Sequence, residues 1–274
     1  MAVLLQIALR SAFYHLSTVI LRFTDNSKLT LLNTRPETTH RLAKWIAQSG
    51  HCSRRAAERL ITSGRVKVNS IAARHTDLVN NSDCILIDDT PLTALPPLSY
   101  ILYHKPIGID CNNRPDDPAS LHQLLKTLPL RLFAVGRLDK DSSGMLLLTN
   151  DGALCQQLLH PDYQHKKSYL VDTDKALTPD FIRQMAAGVS WQLGANQYQS
   201  RPCQVNATGT TKFEIILTEG MHRQIRYMCK TLGYRVTALK RTAIGALPLG
   251  ELAVGQYRQL RSGEISALQN IGEN

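Results

Sequence analysis

The sequence predicts an α+β protein: a mixed, mainly antiparallel central sheet with flanking helices, preceded by a small N-terminal α/β module. Three observations predict it. From residue 98 onward, short apolar runs bounded by Gly and Asp read as strands, and short helical patterns separate them, which suggests helices and loops around a central cleft. Residues 40–87 compress two helix patterns and a strand alternation into one compact unit. Between the two lies Asp88-Asp89-Thr-Pro-Leu-Thr-Ala-Leu-Pro-Pro97, whose prolines and acids break helix and strand alike. The expected division is an extension over 1–39, poorly ordered, a module with its linker over 40–97, and a second domain over 98–274.

Composition narrows the partners. The chain has 274 residues, is 43% hydrophobic and carries a formal charge of +10, which points to a polyanion such as nucleic acid. No phosphate-binding Gly-x-x-x-x-Gly-Lys loop and no Gly-x-Gly-x-x-Gly stand in it, so nothing asks for a nucleotide cofactor. The six cysteines form no Cys-x-x-Cys pair and no zinc spacing; no metal site is expected, and they read as buried thiols in a reducing cytoplasm. No apolar stretch is long and pure enough to cross a bilayer. Without a coiled-coil signal, a monomer is expected.

In the module, His40 to Gly50 places Leu42, Trp45, Ile46 and Ser49 at helical spacing, with Gly50 as a stop. Ser53 is an N-cap for Arg54 to Thr62, and Gly64 closes that helix. Arg65-Val-Lys-Val68 alternates as a strand, Asn69-Ser70 turns, and Cys84 to Ile87 is a later strand. Between Arg41 and Lys67, seven cations (Arg41, Lys44, Arg54, Arg55, Arg59, Arg65, Lys67) stand against one acid, Glu58, which marks a phosphate-contacting surface.

In the second domain, Ser99 to Tyr103 is a strand leading to Lys105-Pro106-Ile107-Gly108, a turn. Ser120 to Leu128 is a short helix. Leu132 to Val135 and Met145 to Leu148 are buried strands around the Gly-bounded loop Gly136-Arg137-Leu138-Asp139-Lys140-Asp141-Ser142-Ser143-Gly144. Stiff strands thus present Asp139 at the edge of a core, a usual place for chemistry. Gly152 to Leu159 is a helix, Lys167-Ser168-Tyr169 enters a strand, and Thr178-Pro179 starts a helix that Gly188 ends. Strands follow over 189–193, 202–205 and 211–218. Gly220-Met221-His222-Arg223-Gln224-Ile225-Arg226 then heads a helix to Leu232.

These motifs carry a resemblance. Gly-Arg-Leu-Asp-x-x-Ser-x-Gly around Asp139, Lys-Pro-x-Gly at Lys105, Lys-x-Tyr at Tyr169, the Arg-Gln-Ile-Arg run and Leu239-Lys-Arg-Thr-Ala-Ile-Gly245 resemble, in order, the motifs of RNA pseudouridine synthases of the RsuA family. The version Gly-Arg-Leu-Asp-Lys-Asp-Ser is nearest to the RluF subgroup. The helix, Ser-Arg-Arg helix and Gly-x-Val-x-Val-Asn hairpin of residues 40–87 resemble the S-four-type RNA-binding module, with Ser70 where that family usually has Gly.

The resemblance implies an isomerase of uridine in RNA that needs no cofactor, with large-subunit (23S) ribosomal RNA as substrate and transfer RNA as a second candidate. It implies that Asp139 is the essential carboxylate and that Arg226 pairs with it. Tyr169 lies at the target base, stacking on it or taking its proton. Arg137 fills the space left by a flipped base, which must leave the stack to be reached. Lys105, Arg223 and the module's Arg41, Lys44, Arg54, Arg55, Arg65 and Lys67 are the expected RNA contacts. Asp139 has three open roles: attack on the sugar, attack on the base, or stabilisation of a charged sugar. The competing readings are a non-catalytic ribosome-associated binding protein, another RNA-modifying enzyme such as a methyltransferase, and the same chemistry on transfer or small-subunit RNA.

Overall fold

The structure is a computed structural model and describes residues 39–269. The extension expected over residues 1–39 therefore lies, but for Thr39, outside the described residues. The chain divides into two compact units between Leu95 and Pro96.

The first unit opens with β1 (His40–Arg41), α1 (Leu42–Gln48) and α2 (Arg54–Thr62). Ser53 caps α2 by accepting from the Ala56 N–H at 3.2 Å. Next come β2 (Val66–Val68), β3 (Ile71–Ala72), β4 (Leu78–Val79), β5 (Ile85–Ile87) and β6 (Thr90–Pro91). β1 pairs with β4, and the other four form a sheet in the order β3-β2-β5-β6. The helices bury Leu42, Ile46, Ala57 and Ile61 against Val66, Val79, Ile85 and Ile87. Val68 pairs with Ile71, so Asn69 and Ser70 alone form the turn, with φ of 50° and 69°. The start of the expected linker is a correction. Asp88 and Asp89 turn with positive φ, and Thr90–Pro91 pairs back onto β5 at the sheet edge, where a proline costs no ladder hydrogen bond.

The second unit contains β7 (Tyr100–Lys105), α3 (His122–Leu125), β8 (Phe133–Val135), β9 (Ser143–Thr149) and α4 (Gly152–Leu159). It continues with β10 (Lys167–Thr173), α5 (Pro179–Ala187), β11 (Ser190–Leu193), β12 (Asn196–Gln199), β13 (Gln204–Ala207) and β14 (Lys212–Leu217). The last elements are α6 (Gln224–Thr231), β15 (Val236–Ile244), β16 (Leu247–Pro248), β17 (Tyr257–Gln259) and α7 (Ser262–Gln269). Its central sheet runs β13-β14-β10-β15-β9-β7-β17, with β8 and β16 attached to β9 and β15. Every pairing in it is antiparallel except β9 with β15. The expected mixed, mainly antiparallel α+β architecture is what the chain adopts.

That one parallel pairing positions the site. At its register Gly144 faces Arg241, and a Cβ on Gly144 would lie 2.3 Å from the Arg241 carbonyl oxygen. Only glycine, here with φ 108°, lets the two strands meet. The meeting sets the end of the Asp139 loop directly beside β15. β9 is buried from Gly144 to Thr149, which makes the loop's anchor rigid. The cysteines are less buried than expected: only Cys229 is buried, while Cys84 is exposed and the other four are half-buried.

Candidate active site

The loop from Gly136 to Ser142 forms one wall of a cleft of about 560 Å³. Its other walls come from β10 through Lys167 and Tyr169, from the turn before α6 through Met221 and Arg223, and from β15 through Leu239 and Arg241. The loop is held at several points. Ser142 N–H donates to the Asp139 carbonyl at 3.0 Å, closing a turn around the acid. Gly108 N–H donates to the Lys140 carbonyl at 2.7 Å, so the Lys-Pro-x-Gly turn braces the loop from below. Leu138 is buried in the core and its N–H donates to Cys111 Sγ at 3.3 Å. Asp139 itself stays accessible, its side chain 27% exposed and lining the cleft.

Two arginines of the α6 turn converge on this loop. Arg223 donates through Nη1 and Nη2 to both oxygens of Asp141, at 3.1 and 2.8 Å, and its Nη1 lies 3.9 Å from Asp139 Oδ2. Arg223 has φ 52°, a left-handed conformation that is uncommon for a side chain of this size. Arg226 is half-buried; its Nε lies 3.3 Å from Asp141 Oδ2, Nη2 donates to the Asp141 carbonyl at 2.8 Å, and Nη1 to the Val236 carbonyl at 3.2 Å. The expected direct pairing of Arg226 with Asp139 is therefore corrected. Arg226 grips Asp141, and among the described residues the cation within 4 Å of Asp139 is Arg223. The reason is reach: the carbonyls of Asp141 and Val236 pin the Arg226 fork from both sides. Burial works against charge on Asp141. The hydrogen bond from Arg223 and the charges of both arginines outweigh it and hold the carboxyl below its ordinary range.

Lys105 is a second correction. It is 0% exposed, so it contacts no RNA. Its Nζ donates to the Pro106 and Ile109 carbonyls at 2.9 and 2.7 Å. Burial pushes its ammonium down, while Cys111, Asp110, Asp139 and Asp141 favour the charged form. The lysine is a buried cation near the acidic loop. Tyr169 is buried, lines the cleft, and pairs in register with Ile215 on one side and Arg241 on the other. Arg137 is exposed at the rim.

On the first unit, Arg41, Arg54, Arg55 and Arg65 are exposed, and Lys44 and Lys67 half-buried. Arg65 makes a two-pronged pair with Asp88 at 2.8 and 2.5 Å, and Lys67 reaches Asp89 at 2.6 Å. The two acids assigned to the linker thus neutralise part of the basic cluster. Among the described residues no cluster of side chains fits a metal ion.

Sequence reasoning missed four participants. Asp141 stood two residues from Asp139, and that spacing in a tight turn was the available signal. Gln224, 3% exposed, clasps the turn before α6: it accepts from Met221 N–H at 3.1 Å and donates to Glu219 at 2.6 Å. Lys167 and Arg241 lay inside recognised motifs, yet only the sheet register shows that they face the cleft.

The same two units appear in comparisons with known proteins. Residues 99–231 match the RNA pseudouridylate synthase family and residues 40–74 the S4 domain. The dual-specificity RNA pseudouridine synthase RluF of Escherichia coli K12 is 36% identical over 241 residues, covering 87% of this chain and 81% of the relative. The ribosomal large subunit pseudouridine synthase B of Bacillus subtilis is 31% identical, covering 85% and 97%. A crystal structure of a pseudouridylate synthase superimposes with a TM-score of 0.61 at 30% identity, covering 83% of this chain and 99% of that one. Fold, module and cleft thus define an RNA-modifying isomerase. The chain belongs to the RNA pseudouridine synthase family. Among the described residues, no helix is long and apolar enough to cross a membrane.

Proposed function

We propose that this enzyme isomerises specific uridines of 23S ribosomal RNA in the cytoplasm, acting as a monomer with Asp139 as its essential carboxylate. The observation that carries the reading is Asp139 itself: an accessible acid on a braced loop, with Arg223 at 3.9 Å and Tyr169 in the same cleft. A carboxylate from which substrate excludes water is stabilised by a neighbouring cation. Arg223 supplies it directly, and Arg226 supplies it through its grip on Asp141.

The division of labour follows the two units. Residues 40–97 dock on RNA through Arg41, Lys44, Arg54 and Arg55, with Arg65 and Lys67 exchanging Asp88 and Asp89 for phosphate. Residues 98–274 carry the chemistry. The target base leaves the stack and enters the cleft, and Arg137 at the rim takes its place. The name of the Bacillus subtilis relative supports the large subunit, and the dual specificity of the Escherichia coli relative supports transfer RNA as a second substrate.

The test uses unmodified ribosomal RNA with purified protein and no cofactor. Pseudouridine is mapped by carbodiimide labelling and reverse-transcription stops, with Asp139→Asn alongside. A new stop in 23S RNA, absent with the variant, is expected. Tight RNA binding without any stop on free RNA, ribosomal subunits or transfer RNA would overturn the reading.

A further inference from the structure

The cleft holds a second pair of cations, separate from the arginines of α6. Arg241 on β15 stands opposite Tyr169 on β10, and Lys167 lies two residues before Tyr169, so both strands turn these side chains to one face. All three line the cleft with Asp139. Arg241 is 3% exposed; its Nε donates to the Met145 carbonyl at 2.8 Å, while its Nη2 is buried with no partner. Lys167 Nζ donates to the His165 carbonyl at 3.1 Å. Among the described residues, neither cation has a carboxylate within ion-pair distance. Burial foremost, and then the charge of Arg241, push the Lys167 amine down. A buried donor left unmade is costly, and an anionic ligand would relieve both the orphaned N–H and the repulsion.

The reaction forms such an anion. The bond between uracil N1 and sugar C1′ breaks and its electron pair leaves on N1, spreading to the ring oxygens O2 and O4. The ring turns, C5 bonds to C1′, the C5 proton departs and N1 gains a proton, so atoms and electrons balance without a co-reactant. We propose that Arg241 and Lys167 form a subsite that donates to a carbonyl oxygen of the target uracil and stabilises the detached uracil anion. The proposal rests on Asp139 acting in this cleft. Donors fixed in advance, where charge develops, act most strongly in a site that excludes water.

The test is the single-turnover rate on the ribosomal RNA fragment that the wild type modifies, carrying uridine or 5-fluorouridine at the target. Fluorine withdraws electrons, so the fluorinated ring carries negative charge with less help. Lys167→Met and Arg241→Lys are each expected to slow uridine consumption by about 100-fold, the usual loss for one such donor. The loss with 5-fluorouridine should be clearly smaller, with RNA affinity unchanged. Arg241 is buried; if its variant does not fold, Lys167→Met decides alone. Equal losses on both substrates, or no loss, would overturn the proposal. So would weaker RNA binding with a salt slope smaller by about one, which would assign the cations to a backbone phosphate. Wild-type turnover and an inactive Asp139→Asn in the same assay keep failure here distinct from failure of the Asp139 reading.

Discussion

Arg223 gives both of its terminal nitrogens to Asp141 and leaves Asp139 at 3.9 Å. Asp141 therefore absorbs the strongest hydrogen bonds of the cationic turn, and Asp139 feels the charge without being tied by it. A carboxylate that must meet substrate gains from this arrangement, because no strong bond has to break first.

Removing Asp141 should for that reason damage catalysis through the arginines. Asp141→Asn is expected to lower kcat at least about tenfold while costing about 1 kcal/mol of stability, since the side chains of the Arg223–Asp141 pair are still 35% and 45% exposed and solvent screens it. Arg226→Ala leaves the Asp141 and Val236 carbonyls without their donors and is expected to cost about 1–3 kcal/mol. It should disable turnover in a domain that still folds. Near-normal turnover in a folded Arg226→Ala protein would remove Arg226 from the mechanism.

Tyr169→Phe separates two roles of a buried ring in the cleft. The ring packs with the core around Val171 and Leu217, so the variant should fold as the wild type does. Retained activity means that the ring stacks on the base. A loss of about 100-fold or more assigns the hydroxyl to proton transfer.

The β2–β3 turn offers a stability test in the first unit. Ser70 holds φ 69° in a two-residue turn that favours Asn-Gly. Ser70→Gly removes that strain and should stabilise the unit by about 0.5–1 kcal/mol, read as a higher urea midpoint. A lower midpoint would show that the serine makes a compensating contact.

A pH dependence follows from the last helix. Arg258 binds both oxygens of Glu264 at 2.7 Å, and the Arg261 N–H adds a bond at 2.8 Å. The Arg258 hydrogen bonds foremost hold the Glu264 carboxyl down at about 2. A depressed acid stabilises the fold above its unfolded pKa, and that help fades as pH falls through the folded value. The difference in urea midpoint between wild type and Glu264→Gln should be full above pH 4.5 and vanish towards pH 2. A difference independent of pH would mean that this bridge contributes through packing alone.

Much of this was legible in the chain because local chemistry decides it. Ser53 and Thr178 announce helix starts by their caps, Gly50 and Gly188 announce stops, and the apolar run after Gly144 can only be a buried strand. The loop carrying Asp139 was visible for the same reason: glycines and acids bounded by stiff apolar runs leave few other structures. The places of β15 and α7 are settled by partners distant in sequence, β15 by β9 and β10 and α7 by the core that buries Leu268. What tertiary structure alone decided is which charges meet. A charged side chain on a strand or turn has the same local pattern whether it ends in solvent, as Arg137 does, or buried beneath a loop, as Lys105 is. The parallel meeting of β9 and β15 at Gly144 brings Arg241 to the cleft, and the left-handed turn at Arg223 sends the α6 cations to Asp141. Charge interactions depend on distance and burial, and neither exists until the chain has packed.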